Sequence, residues 1–149
     1  MDAIELLQRD HRKVEDLFHQ YEQAGERAHK TKRELVEQIS SELEVHTALE
    51  EEIFYPAAEA AASKDDKQQV REGYEEHHVV KVLLGELAGM RPDDTEYDPK
   101  VTVLMENVRH HIEEEESELL PKASETLGQA RLRDLGEQMA KRKEQLEAG

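Results

Sequence analysis

Apolar residues recur at steps of three and four along most of the chain, which is the spacing of one face of an α-helix. Four such stripes predict four long helices. They run from Ile4 to Tyr21, from Leu35 to Ile53, from His77 to Leu87 and from Val101 to Leu119. Pro56 follows the second stripe and is expected to kink or end that helix, because proline has no backbone N–H to donate.

Turn-forming residues collect after Gly89 in the segment MRPDDTEYDP, which predicts a connection. Leu132, Leu135 and Met139 then keep helical register and predict a shorter fifth helix over about 129–147. No strand pattern appears. We therefore predict an all-α fold: an antiparallel up-down four-helix bundle over about 2–127, with the fifth helix packed against it, in one domain over 1–149.

The two halves of the chain repeat each other. DHRKVEDLF from Asp10 aligns with EHHVVKVLL from Glu76, an offset of 66 residues, and HTALEEEIFYP from His46 aligns with HIEEEESELLP from His111, an offset of 65. Both segments of the second pair contain a His followed four residues later by a Glu. Because 36 of the 149 residues are acidic, this spacing alone is weak evidence for a site.

Helical register separates the candidate histidines from the rest. Four of them lie each on the apolar stripe of a different predicted helix: His11, His46, His77 and His111. In contrast, His110 has polar neighbours on its helix face, and His19 and His29 fall on polar faces, so these three are predicted at the surface.

Residues four apart on a helix differ by about 40° around the axis and roughly 6 Å along it, so His46 with Glu50, and His111 with Glu115, can each converge on one inward point. A buried carboxylate must be paired, protonated or bound to a metal. Two such carboxylates facing each other would repel unless cations lay between them. We therefore predict two divalent or trivalent metal ions, bridged by the two glutamates and bound by the four histidines.

Composition excludes several other classes of site. With no cysteine, the chain has no disulfide, thiolate metal site or cysteine nucleophile. The formal net charge of −16 argues against a nucleic-acid partner. No stretch is apolar enough to cross a membrane, and the amphipathic N-terminal segment lacks the features of a secretory signal, so we expect a cytoplasmic protein.

With these motifs the chain resembles the hemerythrin-like, or HHE cation-binding, family over nearly its full length. The shared pattern is H, HxxxE, H, HxxxE, and this sequence matches it at six positions: His11, His46, Glu50, His77, His111 and Glu115. The resemblance implies a four-helix bundle around a non-haem di-iron centre, in which the glutamates bridge two iron ions and the histidines are terminal ligands. Zinc is the alternative metal, since the same ligands accept it.

The sequence departs from the oxygen-carrying hemerythrins in two places. Those proteins have a further His one turn after the helix-three ligand, where Lys81 stands here, and a His and Asp five apart on helix four, where Glu115 follows His111 by four. Fewer protein ligands leave more open positions on the metals. We therefore expect a small diatomic or peroxide ligand to be bound or turned over, with catalase-like peroxide decomposition and a role in oxidative stress as hypotheses.

Several alternatives stay open. The metal could be structural, in an iron sensor or store, or the chain could be a metal-free acidic bundle that binds a protein partner. His78 is a weaker substitute ligand than His77. Glu51 and Glu116 could accept hydrogen bonds from ligating histidines, although exposure to solvent or pairing with Lys or Arg is the favoured interpretation. Five aromatic residues could wall the site or form ordinary core: Phe18, Tyr21, Phe54, Tyr55 and Tyr74.

Overall fold

The computed structural model describes residues 1–149 and contains helices but no strands. The helices are α1 (Ala3–Gln23), α2 (His29–Leu49), α3 (Tyr55–Ala61), α4 (Lys64–Ala88), α5 (Tyr97–Glu114), α6 (Leu120–Leu127) and α7 (Gln129–Ala148). Two π-helical turns join α2 to α3 and α5 to α6; they span Glu50–Phe54 and Glu115–Leu119. The predicted all-helical class is confirmed.

The bundle consists of two helical hairpins. α1 packs against α2 and α4 packs against α5, and contacts of α2 with α4 and of α1 with α5 close the bundle. α7 lies outside this set, across α1, the end of α2 and the first π-helical turn, as the predicted fifth helix. Its 20 residues nearly equal the 21 of α1. None of the helices combines the length and the apolar content that crossing a bilayer requires.

Two separate apolar clusters, of 16 and 14 buried residues, form the core. α1, α2 and α4 contribute to both clusters, and α5 contributes to one while Leu119 and Leu120, which follow it, belong to the other. On α1, Leu7 belongs to one cluster and Val14 to the other, and His11 lies between them. The pattern repeats on the other bundle helices, so the four histidines of the sequence pattern form a polar layer between two apolar ones.

The helical path does not end at Pro56; of the two expected outcomes, a kink or an end, the structure excludes the end and has a π-helical turn before the proline. Pro56 is the second residue of α3, and the π-helical turn just before it lets the Tyr55 N–H reach the Glu50 carbonyl. In a regular helix the proline ring would clash with the carbonyl four residues earlier, and the wider turn relieves that clash. Pro121 follows the second π-helical turn in the same way. Each π-helical turn therefore begins at one of the two inward glutamates.

Two helices begin at residues other than those that the apolar pattern predicted. α4 begins at Lys64, well before His77, and Ser63 caps it by accepting the Asp66 N–H. This first part of α4 is mostly polar, and only Val70 and Tyr74 continue the apolar stripe before His77. α5 begins at Tyr97, inside the segment predicted as a connection, because that side chain is fully buried in the core.

α7 approaches the start of α1 most closely at Gly136. A Cβ atom there would lie 2.7 Å from the Asp2 carbonyl carbon and 2.9 Å from the Ala3 nitrogen. These are backbone atoms that cannot move without shifting α1. Gly136 therefore sets the distance between the fifth helix and the bundle.

We expect Gly136→Ala to lower the free energy of unfolding by about 1–3 kcal/mol through overpacking, even though alanine favours a helix by about 1 kcal/mol. Gly85 in α4 is the matched control, because a Cβ there meets nothing within 4 Å. Gly85→Ala should raise the free energy of unfolding by up to about 1 kcal/mol. Urea unfolding of both variants measures the difference, and a stabilising Gly136→Ala would contradict the close approach.

Candidate metal centre

The six residues predicted from the sequence meet at the centre of the bundle. None is more than 7% exposed. Their nitrogen and oxygen atoms form two groups in which all atoms lie within 4.8 Å of one another. One group is Glu50, His77, His111 and Glu115, and the other is His11, His46 and Glu115. Glu115 belongs to both.

Each glutamate lies between two histidines of different groups. Glu50 Oε1 is 3.0 Å from His46 Nε2 and 3.1 Å from His77 Nε2. The Glu115 oxygens are 3.2 Å from His11 Nε2 and 3.0 Å from His111 Nε2. This is the arrangement that two bridging carboxylates between two cations require.

A carboxylate fixes the outer ring nitrogen of every histidine. The four Nδ1 contacts are His11 with Glu116 at 2.6 Å, His46 with Asp10 at 3.1 Å, His77 with Glu51 at 2.8 Å and His111 with Glu76 at 2.7 Å. Since a carboxylate accepts, each Nδ1–H donates, and in the neutral ring the Nε2 lone pair faces the centre of the site. The outer contacts thus choose the tautomer that suits a metal ligand.

Two of these carboxylates correct the sequence-based interpretation, and two were missed. Glu51 and Glu116 accept from His77 and His11, instead of only facing solvent or pairing with Lys or Arg. Asp10 and Glu76 were not predicted to take part. The signal for them was present, because each directly precedes a candidate histidine at equivalent places in the internal repeat.

Lys81 has a role in this outer layer. Its Nζ donates to Glu51 Oε2 at 3.0 Å, and Glu51 in turn accepts from His77. The residue that stands in place of a hemerythrin ligand therefore supports the carboxylate behind a histidine of the site.

The site has two halves, one with His11 and His46 and the other with His77 and His111, and Tyr55 makes them unequal. Its hydroxyl donates to Glu115 Oε2 at 2.5 Å and lies 3.2 Å from His111 Nε2. The equivalent residue in the other half is Leu120. Gly73 makes room for the Tyr55 ring, since a Cβ there would lie 2.9 Å from the hydroxyl, and the residue equivalent to Gly73 is Leu7. A Leu–Leu pair in one half is thus a Gly–Tyr pair in the other.

The charges of the site are strongly coupled. Burial opposes a charge on His46, but Glu50 and the hydrogen bond to Asp10 outweigh it and raise the pKa of His46 to about 10. Glu115 likewise outweighs burial and raises the pKa of His111 well above its usual value. Burial raises the pKa of Glu50, yet His46 holds it well below its usual range. In the metal-free protein, these two imidazoles are therefore protonated against ionised carboxylates.

Burial, together with the charges of Glu50 and Glu115, raises the pKa of Tyr55 well above its usual value. The Tyr55 hydroxyl therefore keeps its proton beside Glu115.

The remaining histidines lie apart from the centre. His19, His78 and His110 are exposed, so His78 is not placed as a ligand. His29 is half-buried at the start of α2. His110 pairs with Glu114 at 3.0 Å on the surface, as the sequence pattern predicts.

Four buried atoms of the site make no well-aligned hydrogen bond: His11 Nε2, His46 Nε2, Glu50 Oε2 and Glu115 Oε1. The two nitrogens lie 3.2 Å and 3.0 Å from a glutamate oxygen, but the angles are poor for a hydrogen bond. Unpaired buried polar atoms are rare and costly. All four belong to residue types that bind metal cations through nitrogen and oxygen, and all four residues are members of the two ligand groups. The donor set and its orphaned atoms therefore fit a site that could hold metal ions.

Comparison with known proteins agrees with this geometry. The crystal structure of a hemerythrin HHE cation binding domain-containing protein from Mycobacterium kansasii superposes on this chain with a TM-score of 0.84. It is 26% identical in sequence, and the match covers 99% of this chain and 88% of that one.

Two other relatives are longer than this chain. A DNA nickase from Nostoc sp. is 29% identical over 119 residues, which is 80% of this chain and 32% of that protein. A hemerythrin-like protein from Schizosaccharomyces pombe is 28% identical over 113 residues, which is 76% of this chain and 55% of that protein. The chain thus spans about a third and about half of their lengths.

Residues 2–123 match the sequence model of the Hemerythrin HHE cation binding domain, and this span includes all six residues of the centre. The chain therefore belongs to the hemerythrin HHE cation-binding family.

Proposed function

We propose that the chain is a non-haem di-iron protein that binds or turns over a small oxidant, namely hydrogen peroxide, dioxygen or nitric oxide, in a cytoplasmic stress response. The observation that supports this most directly is the pair of ligand groups that share Glu115. With both glutamates bridging, each metal would receive two imidazoles and two carboxylates. Mixed His and carboxylate ligands with open positions suit iron.

Two iron ions held by these residues would supply the electron-transfer and oxygen chemistry that side chains alone cannot provide. The chain itself does the positioning. The four outer carboxylates fix the imidazoles, and the two apolar clusters enclose the polar layer and keep bulk water out. The Tyr55 hydroxyl oxygen lies 2.5 Å from Glu115 Oε2 and donates its proton to that oxygen, on the side of the site that contains His77 and His111.

The burial of the centre favours a ligand of a few atoms. All six side chains are buried, and the four helices that hold them pack closely around them. An organic substrate would have to displace core side chains to reach the Nε2 atoms. A diatomic molecule or a peroxide would not.

We propose that the chain does not bind nucleic acid. The Nostoc relative is a DNA nickase, but the match covers 32% of that protein. The formal charge of −16 on this chain would repel a phosphate backbone.

The metal content separates this proposal from a metal-free bundle. The protein purified without chelator should contain two iron ions per chain by elemental analysis. His111→Ala should lose at least one of them, while His110→Ala should keep both, because His110 is an exposed neighbour with the same spacing to a glutamate. Equal metal content in the two variants would contradict the assigned centre.

Turnover separates an oxidant-handling protein from an iron store. The iron-loaded protein and His110→Ala should evolve oxygen from hydrogen peroxide, and His46→Ala should not. Reaction with nitric oxide, followed as loss of the dissolved gas, is the parallel assay. Two bound irons that react with none of the three oxidants would make the metal structural instead.

Metal uptake should release protons. Binding needs neutral imidazoles, whereas His46 and His111 are protonated at pH 7 in the metal-free protein. We expect about two protons released per chain from these residues, measured by calorimetry in buffers of different ionisation enthalpy.

Because the pKa of His46 rises from 6.5 to about 10 on folding, its contribution to the stability of metal-free protein is full below pH 6.5 and is lost as pH rises through about 10.

Metal affinity should also rise between pH 6.5 and about pH 10, because fewer protons then compete with the metal for His46. Unfolding of the metal-free protein at pH 6.5 and pH 10 checks the stability part. Metal binding without proton release, or metal-free protein that is more stable at pH 10, would contradict the charge state assigned to the site.

A further inference from the structure

The fifth helix contributes a side chain to the outer layer of the metal centre. Lys143 of α7 donates from Nζ to Asp10 Oδ1 at 2.7 Å, and the other Asp10 oxygen accepts from His46 Nδ1 at 3.1 Å. Lys143 thus lies two contacts from a predicted metal ligand. It also lies outside residues 2–123, the span that matches the HHE domain.

Asp10 depends on this lysine because it is only 3% exposed. A buried carboxylate needs a partner for each oxygen, since water cannot supply one. His46 takes one oxygen and Lys143 takes the other. The carboxylate is therefore fixed from both sides, and it cannot rotate away from the imidazole while Lys143 stays in place.

The equivalent carboxylate in the other half has no such partner. Glu76 accepts from His111 Nδ1 at 2.7 Å, but no lysine or arginine lies within ion-pair distance of it, and its side chain is 31% exposed. It borders an open cleft of about 810 Å³ between α3, α4 and α5. Water in this cleft can solvate Glu76. Asp10 also borders a cleft, of about 580 Å³ between α1 and α7, but its own side chain is only 4% exposed, so Lys143 of α7 supplies the partner that solvent supplies to Glu76.

We propose that Lys143 is a positioning residue of the metal centre, which acts through Asp10 to hold His46 in the orientation and tautomer that binds metal. α7 then supports the metal centre as well as packing against the bundle. The inference rests on the proposed function in that it takes His46 as a metal ligand. It assigns to the two halves different means of support: a lysine from α7 behind His46, and solvent behind His111.

Removal of the lysine should weaken one of the two metal positions. Without Lys143, Asp10 Oδ1 loses its partner in a buried place, and the carboxylate must rotate or take up a proton. Either change loosens His46. Loss of an outer partner of a metal-bound imidazole typically costs 10–100-fold in affinity. Since Lys143 is one contact further out, we expect the lower end of that range.

The experiment uses the full chain loaded with Co²⁺ and follows metal release to EDTA by visible absorption. Lys143→Met should speed the release of one of the two ions by about tenfold and should change the Co²⁺ absorption bands. Lys143→Arg should restore both, because it can still donate to Asp10. Lys122→Met is the matched control, since Lys122 pairs with Asp66 at 3.1 Å on the surface with no imidazole behind it.

A double-mutant comparison tests the route through Asp10. Asp10→Asn should itself speed release, and adding Lys143→Met to it should have no further effect, because the lysine would have lost the group it acts on. Release from Lys143→Met at the rate of Lys122→Met would overturn the proposal. So would an effect of Lys143→Met that persists in full beside Asp10→Asn, or one that speeds both ions equally.

Failure of the proposed function has a different signature. The unaltered chain and Lys122→Met would then bind no Co²⁺ at all, and the positioning role would fall with it. If both bind two ions and only the Lys143 comparison fails, the metal centre stands and α7 is merely a packing element.

Discussion

Two glutamates and four histidines lie together in the middle of the bundle, and the rest of the structure follows from the need to make that burial tolerable. Glu50 and Glu115 are almost completely inaccessible to solvent. In the metal-free protein, protonated His46 and His111 balance them. Four nitrogen and oxygen atoms of these side chains still make no well-aligned hydrogen bond. Bound cations satisfy all of these groups at once, which protonation alone does not.

The centre has two similar halves whose surroundings differ. The internal repeat supplies the equivalent histidines, outer carboxylates and π-helical turns in each half. One half then has Tyr55 with Gly73 where the other has Leu120 with Leu7. The half without the tyrosine is covered by α7, which adds Lys143 behind Asp10. A nearly symmetric set of ligands is therefore surrounded by an asymmetric outer layer, and chemistry at the two metal positions need not be equivalent.

Periodicity predicted the helices and the six inward residues, because a side chain on an apolar stripe has only the core to enter. Periodicity alone did not identify the outer layer. Asp10 and Glu76 each directly precede a candidate histidine, but their partners His46 and His111 come from other helices, and the apolar stripe of one helix does not pair residues across helices. Pro56 was expected to kink or end the helix, because a proline position does not show whether a π-helical turn will accommodate the ring. The start of α4 is mostly polar, and its local signals were Ser63 as the cap and the acidic residues Asp65 and Asp66 in the first turn.

The central claim is that two iron ions lie between the four imidazoles and the two glutamates. Anomalous X-ray diffraction at the iron absorption edge, from crystals of protein purified without chelator, tests it most directly. The account predicts two anomalous peaks on either side of Glu115, one beside His11 and His46 and the other beside His77 and His111. Peaks only at the surface group of Glu76, His110 and Glu114, or no iron peak in the bundle, would contradict it.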